Sequence, residues 1–216
     1  MHWNTVTPLV REILEGIMNE EAFDEFRLVG GTALSLQLGH RESVDIDLFS
    51  DAEYGAINFK TIDAYFKRQY AYVDSNTVGG IGIGTSYFVG PAEAELVKVD
   101  IYYTDAYINE PIIDSDVRMA DVEEIIAMKL EVLGYGGRKK DFWDLHACHN
   151  QYDLPSMIDF YKKRYPYGHS HEVLCTGFIN FTNADDDFDP VCLLGKHWEL
   201  IKFDLMEWVN QELPSK

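Results

Sequence analysis

The 216-residue chain has only three cysteines, Cys148, Cys175 and Cys192. They are odd in number, far apart and without C-x-x-C spacing, which argues against a disulfide framework or a zinc site. Reduced core thiols are the expectation. Cations are also scarce: Lys and Arg total 18 against 37 Asp and Glu, a formal net charge of −19. Stable binding along a nucleic-acid backbone needs a surplus of Lys and Arg, so this composition argues against it. Brief contact through a local basic patch stays open. No apolar run approaches the ~18 residues of a membrane span. Met1 to Glu21 carries Arg11, Glu12, Glu15, Glu20 and Glu21. It lacks the basic-then-apolar order of a signal peptide, so a cytoplasmic protein without a membrane partner is expected. There is no internal repeat and no low-complexity tract.

Material for a core is present. The chain has 12 Phe, 13 Tyr and 4 Trp and is 46% hydrophobic. That composition fits a folded protein of one domain of ~200 residues, or two small ones. Thr7 to Met18 has the apolar spacing of an amphipathic helix. Phe26 to Val29 reads as a short extended piece ending at Gly30-Gly31, and Thr32 reads as the N-cap of a helix to Leu38. Ser43 to Phe49 alternates as a strand. Asn58 to Tyr70 reads as a helix. Ala71 to Asn76, Ile81 to Val89 and Ala94 to Thr104 read as strands, with turns at Gly79-Gly80 and Gly90-Pro91. From Asp121 onward the helical period dominates, giving helices over Val122 to Leu133, Arg138 to Asn150, Pro155 to Arg164, His171 to Asn180 and Lys196 to Glu212. The reading is an α+β core over residues 1–115 and a helical lobe over 116–216, with a connector near Glu110 to Ala120.

The chemistry gathers in the first half. Alternate residues of a strand share a face. Asp45 and Asp47 would therefore lie together while Val44, Ile46 and Leu48 face the core. Two adjacent carboxylates repel unless a cation sits between them, and hard oxygen ligands suit Mg²⁺ or Mn²⁺. A glycine pair before a helix lets backbone N–H groups approach a phosphate. A third acid, Asp100, shares a face with Lys98 in Leu96 to Ile101. If that strand lies beside Ser43 to Phe49, then Asp45, Asp47 and Asp100 can form a metal cage for phosphoryl or nucleotidyl chemistry. Without that pairing, Asp45-Ile46-Asp47 is a solvent-facing strand edge.

These motifs resemble the nucleotidyltransferase superfamily, and within it the AbiEii/AbiGii toxin branch of abortive-infection and type IV toxin–antitoxin systems. The resemblance runs from Phe26 to Leu145. It rests on Gly30-Gly31-Thr32, on Arg41-Glu42-Ser43-Val44-Asp45-Ile46-Asp47, on Ala127-Met128-Lys129-Leu130 and on Arg138 to Leu145. It implies a nucleotidyltransferase fold, a mixed sheet with flanking helices completed by the C-terminal helical lobe. It implies Mg²⁺-dependent transfer of a nucleoside monophosphate from an NTP to an RNA 3′ end, with tRNA foremost, and a cognate antitoxin. Asp45 and Asp47 would hold metal, with Asp100 a further ligand. Gly30, Gly31, Thr32, Arg41 and Ser43 would bind the phosphates. Lys129 would face the nucleotide, and Asp141 would serve as base or orient Lys129. Asp144 would be structural, paired with Lys140.

Other readings stay open. An acidic surface suits transfer of AMP onto a protein hydroxyl, or a nucleotide-binding partner without turnover. The basic triplets Arg138 to Lys140 and Lys162 to Arg164 could form a local RNA-binding patch. His146 and His149 read as helix packing, His169 and His171 as exposed or capping, and Asp185-Asp186-Asp187 as a solvated turn.

Overall fold

The computed structural model describes residues 1–75 and 82–213. The Gly79-Gly80 turn and the neighbouring strand ends at Asn76 and Ile81 lie outside the described residues. Helix α1 (Pro8–Met18) starts where Thr7 Oγ1 accepts a hydrogen bond from Val10 N, with Pro8 in the first turn. Strand β1 (Arg27–Val29) leads directly into α2 (Gly30–Leu38). Next come β2 (Ile46–Ser50), α3 (Phe59–Gln69) capped by Asn58, β3 (Tyr72–Ser75), β4 (Gly84–Ala92) and β5 (Glu95–Tyr103). The chain continues through β6 (Ile112–Asp114) and β7 (Val117–Met119). It ends in helices α4 (Val122–Gly134), α5 (Lys139–Cys148), α6 (Leu154–Arg164), α7 (His171–Gly177) and α8 (Trp198–Glu212).

The strands form one mixed sheet in the order β3-β4-β5-β2-β1-β7-β6. Strands β2 and β5 are parallel neighbours, with Ile46 opposite Val99 and Asp47 opposite Asp100. Ile46, Leu48, Val97, Val99 and Ile101 are buried. Asp47, Lys98 and Asp100 alternate with them and occupy the other face.

Four local readings change. The expected connector is a hairpin: β6 and β7 pair antiparallel, and β7 extends the sheet past residue 115 by pairing parallel to β1. Its turn uses left-handed backbone at Ser115 and Asp116, so short polar residues were the cue. Strand β4 runs through Gly90-Pro91, and the turn falls at Glu93-Ala94. The register shifts between Val89 and Ala92, and a Cβ on Gly90 would collide with the Glu95 carbonyl. The glycine therefore permits a close-packed bulge rather than a reversal. Strand β2 starts only at Ile46, and Val44 is exposed rather than in the core. Residues 40–43 are instead tied to other segments through Ser43 N to Thr5 O, Glu42 N to Val191 O and Leu193 N to His40 O. Helix α2 begins at Gly30, which places Thr32 inside the first turn rather than at the cap.

The helical half packs around α4, which contacts α2, α5, α6 and α7. Glu124 and Arg164 form a buried ion pair between α4 and α6. Glu124 also accepts from the backbone N–H of Ile108 (2.9 Å) and Asn109 (3.2 Å). Arg164 donates to Thr104 Oγ1 at 2.9 Å and to the Asp105 and Ala106 carbonyls. This pair fastens the segment after β5 to the helices, and it consumes one cation of the second basic triplet. His146 and His149 behave as packing residues, bonded to Asp204 and Glu212 at 2.8 and 2.7 Å and stacked on Trp208. Arg164→Met removes the guanidinium and leaves the Glu124 carboxylate buried. It should lower unfolding free energy by about 3 kcal/mol, measured by urea titration.

Candidate active site

The site forms where the end of β1, the start of α2, strands β2 and β5, and helices α4 and α5 meet. Gly30 has φ +66, a left-handed conformation that L side chains rarely adopt. A Cβ there would also lie 2.4 Å from Asp47 Oδ2. Gly31 is constrained by close approach alone: its Cβ would lie 2.3 Å from Arg41 Nη2. The glycine pair thus lets backbone approach both the acid and the guanidinium. Thr32 is buried, and its hydroxyl joins Ser43 Oγ (2.8 Å) and the Asp45 carbonyl. Thr32 and Ser43 therefore brace the Asp45 loop to α2.

The carboxylates do not gather as a threefold cage. Among the described residues, no group of three His, Cys, Asp or Glu side chains stands in position to hold a metal ion. Asp47 and Asp100 pair in register, whereas Asp45 precedes β2. It lies outside the pleat, so two-residue spacing does not impose a shared face. The nearest cation to Asp45 is Lys140 Nζ, 3.9 Å away. Burial first, and then the charge of Asp100, push the Asp47 carboxyl up to about 6. Asp100 Oδ2 accepts from Lys98 Nζ at 2.5 Å. Its other oxygen, Oδ1, is buried with no hydrogen-bond partner. A crowded carboxylate pair with an unsatisfied oxygen fits a hard divalent cation.

The second half supplies a buried charge network. Asp144 is fully buried. It accepts from Arg41 Nε (2.6 Å) and Nη2 (2.9 Å), from His40 Nε2 (2.8 Å) and from Lys129 Nζ (2.8 Å). Burial alone would raise its pKa, but Arg41 and Lys129 outweigh it and hold the carboxyl well below the ordinary range. Lys129 is buried, not snorkelling. Burial would lower its pKa, yet Asp144 and Asp141 raise it above the ordinary lysine value, so it is charged. Asp141 Oδ1 accepts from Lys129 Nζ at 2.6 Å, and Oδ2 accepts from the Arg138 backbone N–H at 2.9 Å, capping the start of α5. Both oxygens of Asp141 are thus engaged, one of them on Lys129.

Asp144 was expected to pair with Lys140, three or four residues being the helical neighbour spacing. The structure instead turns it inward onto Arg41 and Lys129. His40 carried no signal beyond its place beside Arg41. The basic triplets are largely spent. Arg138 pairs with Asp187 at 3.1 Å and Lys139 with Asp189 at 2.8 Å, while Arg164 is buried on Glu124. Asp185-Asp186-Asp187 lies in an exposed turn, as read from the sequence, and two of its acids also find partners: Asp187 on Arg138, and Asp185 on Trp198 Nε1 (2.8 Å) and Lys202 (2.9 Å). His169 is packed against Tyr135 and Tyr161, and the neighbouring cap is Ser170.

Comparison with known proteins gives this geometry a family. The profile of the nucleotidyl transferase AbiEii toxin, type IV toxin–antitoxin system, matches residues 12–190. The chain belongs to the AbiEii family. It is accordingly a nucleotidyltransferase, and its sheet and helices match solved nucleotidyltransferase folds. An uncharacterized protein from Aquifex aeolicus strain VF5 is 29% identical over 164 residues, 72% of this chain and 73% of that protein. A presumed nucleotidyltransferase from H. pylori superposes with a TM-score of 0.60 at 18% identity, covering 95% of this chain and 96% of its own. MenT4, a nucleotidyltransferase toxin from Mycobacterium tuberculosis H37Rv, gives 0.55 at 14% identity, covering 93% and 83%. Among the described residues, no helix is long and apolar enough to cross a membrane.

Two stability measurements check the electrostatics. Asp144→Ala leaves Arg41 and Lys129 buried without their shared acceptor and should cost about 3–5 kcal/mol in urea unfolding. Asp47→Asn should stabilise the metal-free protein. The raised folded pKa means that the folded state holds the Asp47 proton more tightly than the unfolded state. The ionised carboxylate therefore costs stability above about pH 6, and that cost fades as pH falls toward 4. In EDTA the variant should melt a few degrees above wild type at pH 7.5, by about 1–2 kcal/mol, and equal it near pH 4.

Proposed function

We propose that this chain transfers a nucleoside monophosphate from an NTP to an RNA 3′ end, with tRNA as the first acceptor to test, releasing pyrophosphate in a divalent-metal-dependent reaction. The observation that carries the reading is the register of Asp47 with Asp100 beside the Gly30-Gly31 turn. Asp47 and Asp100 would hold Mg²⁺ or Mn²⁺, with Asp45, on the loop before β2, as a further ligand. The bound cation would neutralise phosphate charge and polarise the transferring phosphorus.

The remaining steps use the chain's own groups. The backbone at Gly30 and Gly31 opens α2, where helix N–H groups favour phosphate oxygens. Arg41 is fixed by Asp144 with its Nη2 beside Gly31, so its charge lies along the same path. Thr32 and Ser43 hold the loop that presents Asp45. Lys129 supplies a fixed positive charge that stabilises charge developing on the leaving pyrophosphate. Asp141 keeps its ammonium oriented. A cognate antitoxin follows as an expectation from the family, not from a residue in the site.

Transfer of AMP onto a protein hydroxyl is the second reading. It is favoured by the pairing of Arg138, Lys139 and Arg164 with acids, which reduces the free cation available to RNA. Incubation with α-labelled NTPs, total RNA and lysate, followed by RNase or protease, separates the two. RNase-sensitive label is expected, and protease-sensitive label would favour the protein acceptor. Asp47→Ala and Lys129→Ala should each lower Mg²⁺-dependent transfer by at least ~100-fold. Unchanged transfer in Asp47→Ala sinks the assignment.

A further inference from the structure

We propose that Lys98 is a resident counter-ion for the Asp47–Asp100 pair, which yields its place to a divalent cation and then serves the incoming triphosphate. The proposal rests on the metal-dependent reading above and adds a role for a residue outside its ligand set.

The geometry singles Lys98 out. It lies two residues before Asp100 on β5, so the two side chains share the carboxylate face of the sheet. Its ammonium sits 2.5 Å from Asp100 Oδ2, and Asp47 stands opposite Asp100 on the neighbouring strand. Facing carboxylates at paired positions repel one another, so some cation must stand near them for the sheet to be stable. Lys98 supplies that charge directly on Asp100 and reaches Asp47 more weakly, while Lys129 and Lys140 also act on Asp47.

Lys98 is also freer to leave than Lys129. Its side chain is 39% exposed, against 9% for Lys129, which two acids grip from α5. A lysine on a flexible four-carbon stem can swing its ammonium into water at small cost. Its single charge satisfies one oxygen of Asp100 and leaves Oδ1 without a partner. A divalent cation supplies twice the charge and takes several oxygen ligands at once.

Two consequences follow. A cation tethered beside the acids competes with free metal at high effective concentration, so metal alone should bind weakly. Once displaced, Lys98 lacks an anionic partner until a triphosphate arrives. Metal and nucleotide should therefore bind with positive coupling, each tightening the other by the same factor.

Direct Mn²⁺ binding to the full chain, followed by electron paramagnetic resonance of free Mn²⁺, tests this without turnover. Lys98→Met should bind Mn²⁺ alone ~5–10-fold more tightly than wild type, and Lys98→Arg should stay near wild type. A non-hydrolysable NTP analogue should tighten Mn²⁺ binding ~10-fold in wild type and clearly less in Lys98→Met. As a second readout, Lys98→Met and Lys98→Gln should melt lower in EDTA, and added Mn²⁺ should raise their melting temperatures more than that of wild type. Mn²⁺ affinity in both variants equal to or below wild type overturns the Lys98 role and leaves the metal-dependent reading standing. No binding in any form, or binding unchanged in Asp47→Asn, overturns both together.

Discussion

One buried carboxylate, Asp144, holds the candidate site together. Arg41 comes from the loop between α2 and β2, Lys129 from α4 and Asp144 from α5. Arg41 and Lys129 repel each other in a desolvated interior, where charges interact strongly. The shared acid converts that repulsion into a three-way junction of the sheet's loop with two helices. Arg41 is gripped through two nitrogens, which fixes its plane as well as its position. His40 completes the junction. The carboxylate can only accept, so His40 carries a proton on Nε2. Loss of this acid would disturb the loop that presents Asp45, not only the helices behind it.

The acid surplus has an internal use that composition could not reveal. Asp187 and Asp189 pair with Arg138 and Lys139 at the start of α5, and Asp185 pairs with Lys202 of α8, so the 185–189 segment is tied to both helices. Residues 191–193, just after it, pair their backbone with residues 40–42, around Arg41. Acids thus act as local fasteners around the site. The charge of −19 remains, so contact with the proposed RNA acceptor would be local and brief. It cannot centre on two intact basic triplets, because three of their six residues are committed elsewhere.

What the sequence revealed divides by the range of the cause. The helices of the second half and the placing of Lys98 and Asp100 on one strand face follow from periodicity and from residue type, which are local properties. The pairing of Asp47 with Asp100 was only conditional in the sequence, because it depends on β2 lying beside β5. The hairpin at Ile112–Met119 escaped because its strands have three residues each, too few for alternation to register. The extension of β4 through Pro91 escaped because a bulge and a turn use the same residues. The family motifs named Lys129 and Asp141, but their pairing depends on how α4 meets α5. Asp144 was assigned its neighbour on the helix surface, and the burial that turned it inward is a tertiary fact. The partners of His40, Asp187 and Asp189 were invisible for the same reason: they lie 49 to 104 residues away.

Charge balance explains why this arrangement calls for accompanying cations. Arg41, Lys98, Lys129 and Lys140 face Asp45, Asp47, Asp100, Asp141 and Asp144, so four cations meet five acids. Two of the cations, Arg41 and Lys129, are already engaged with Asp144. A triphosphate approaching the Gly30-Gly31 turn would find no net attraction from side chains. The helix terminus contributes only about half a positive charge. Nucleotide therefore gains its electrostatic footing only with cations beside it, and the raised Asp47 carboxyl marks where the shortage of positive charge is greatest. The crowding that costs the free protein stability is the feature that would favour a metal–nucleotide pair as its ligand.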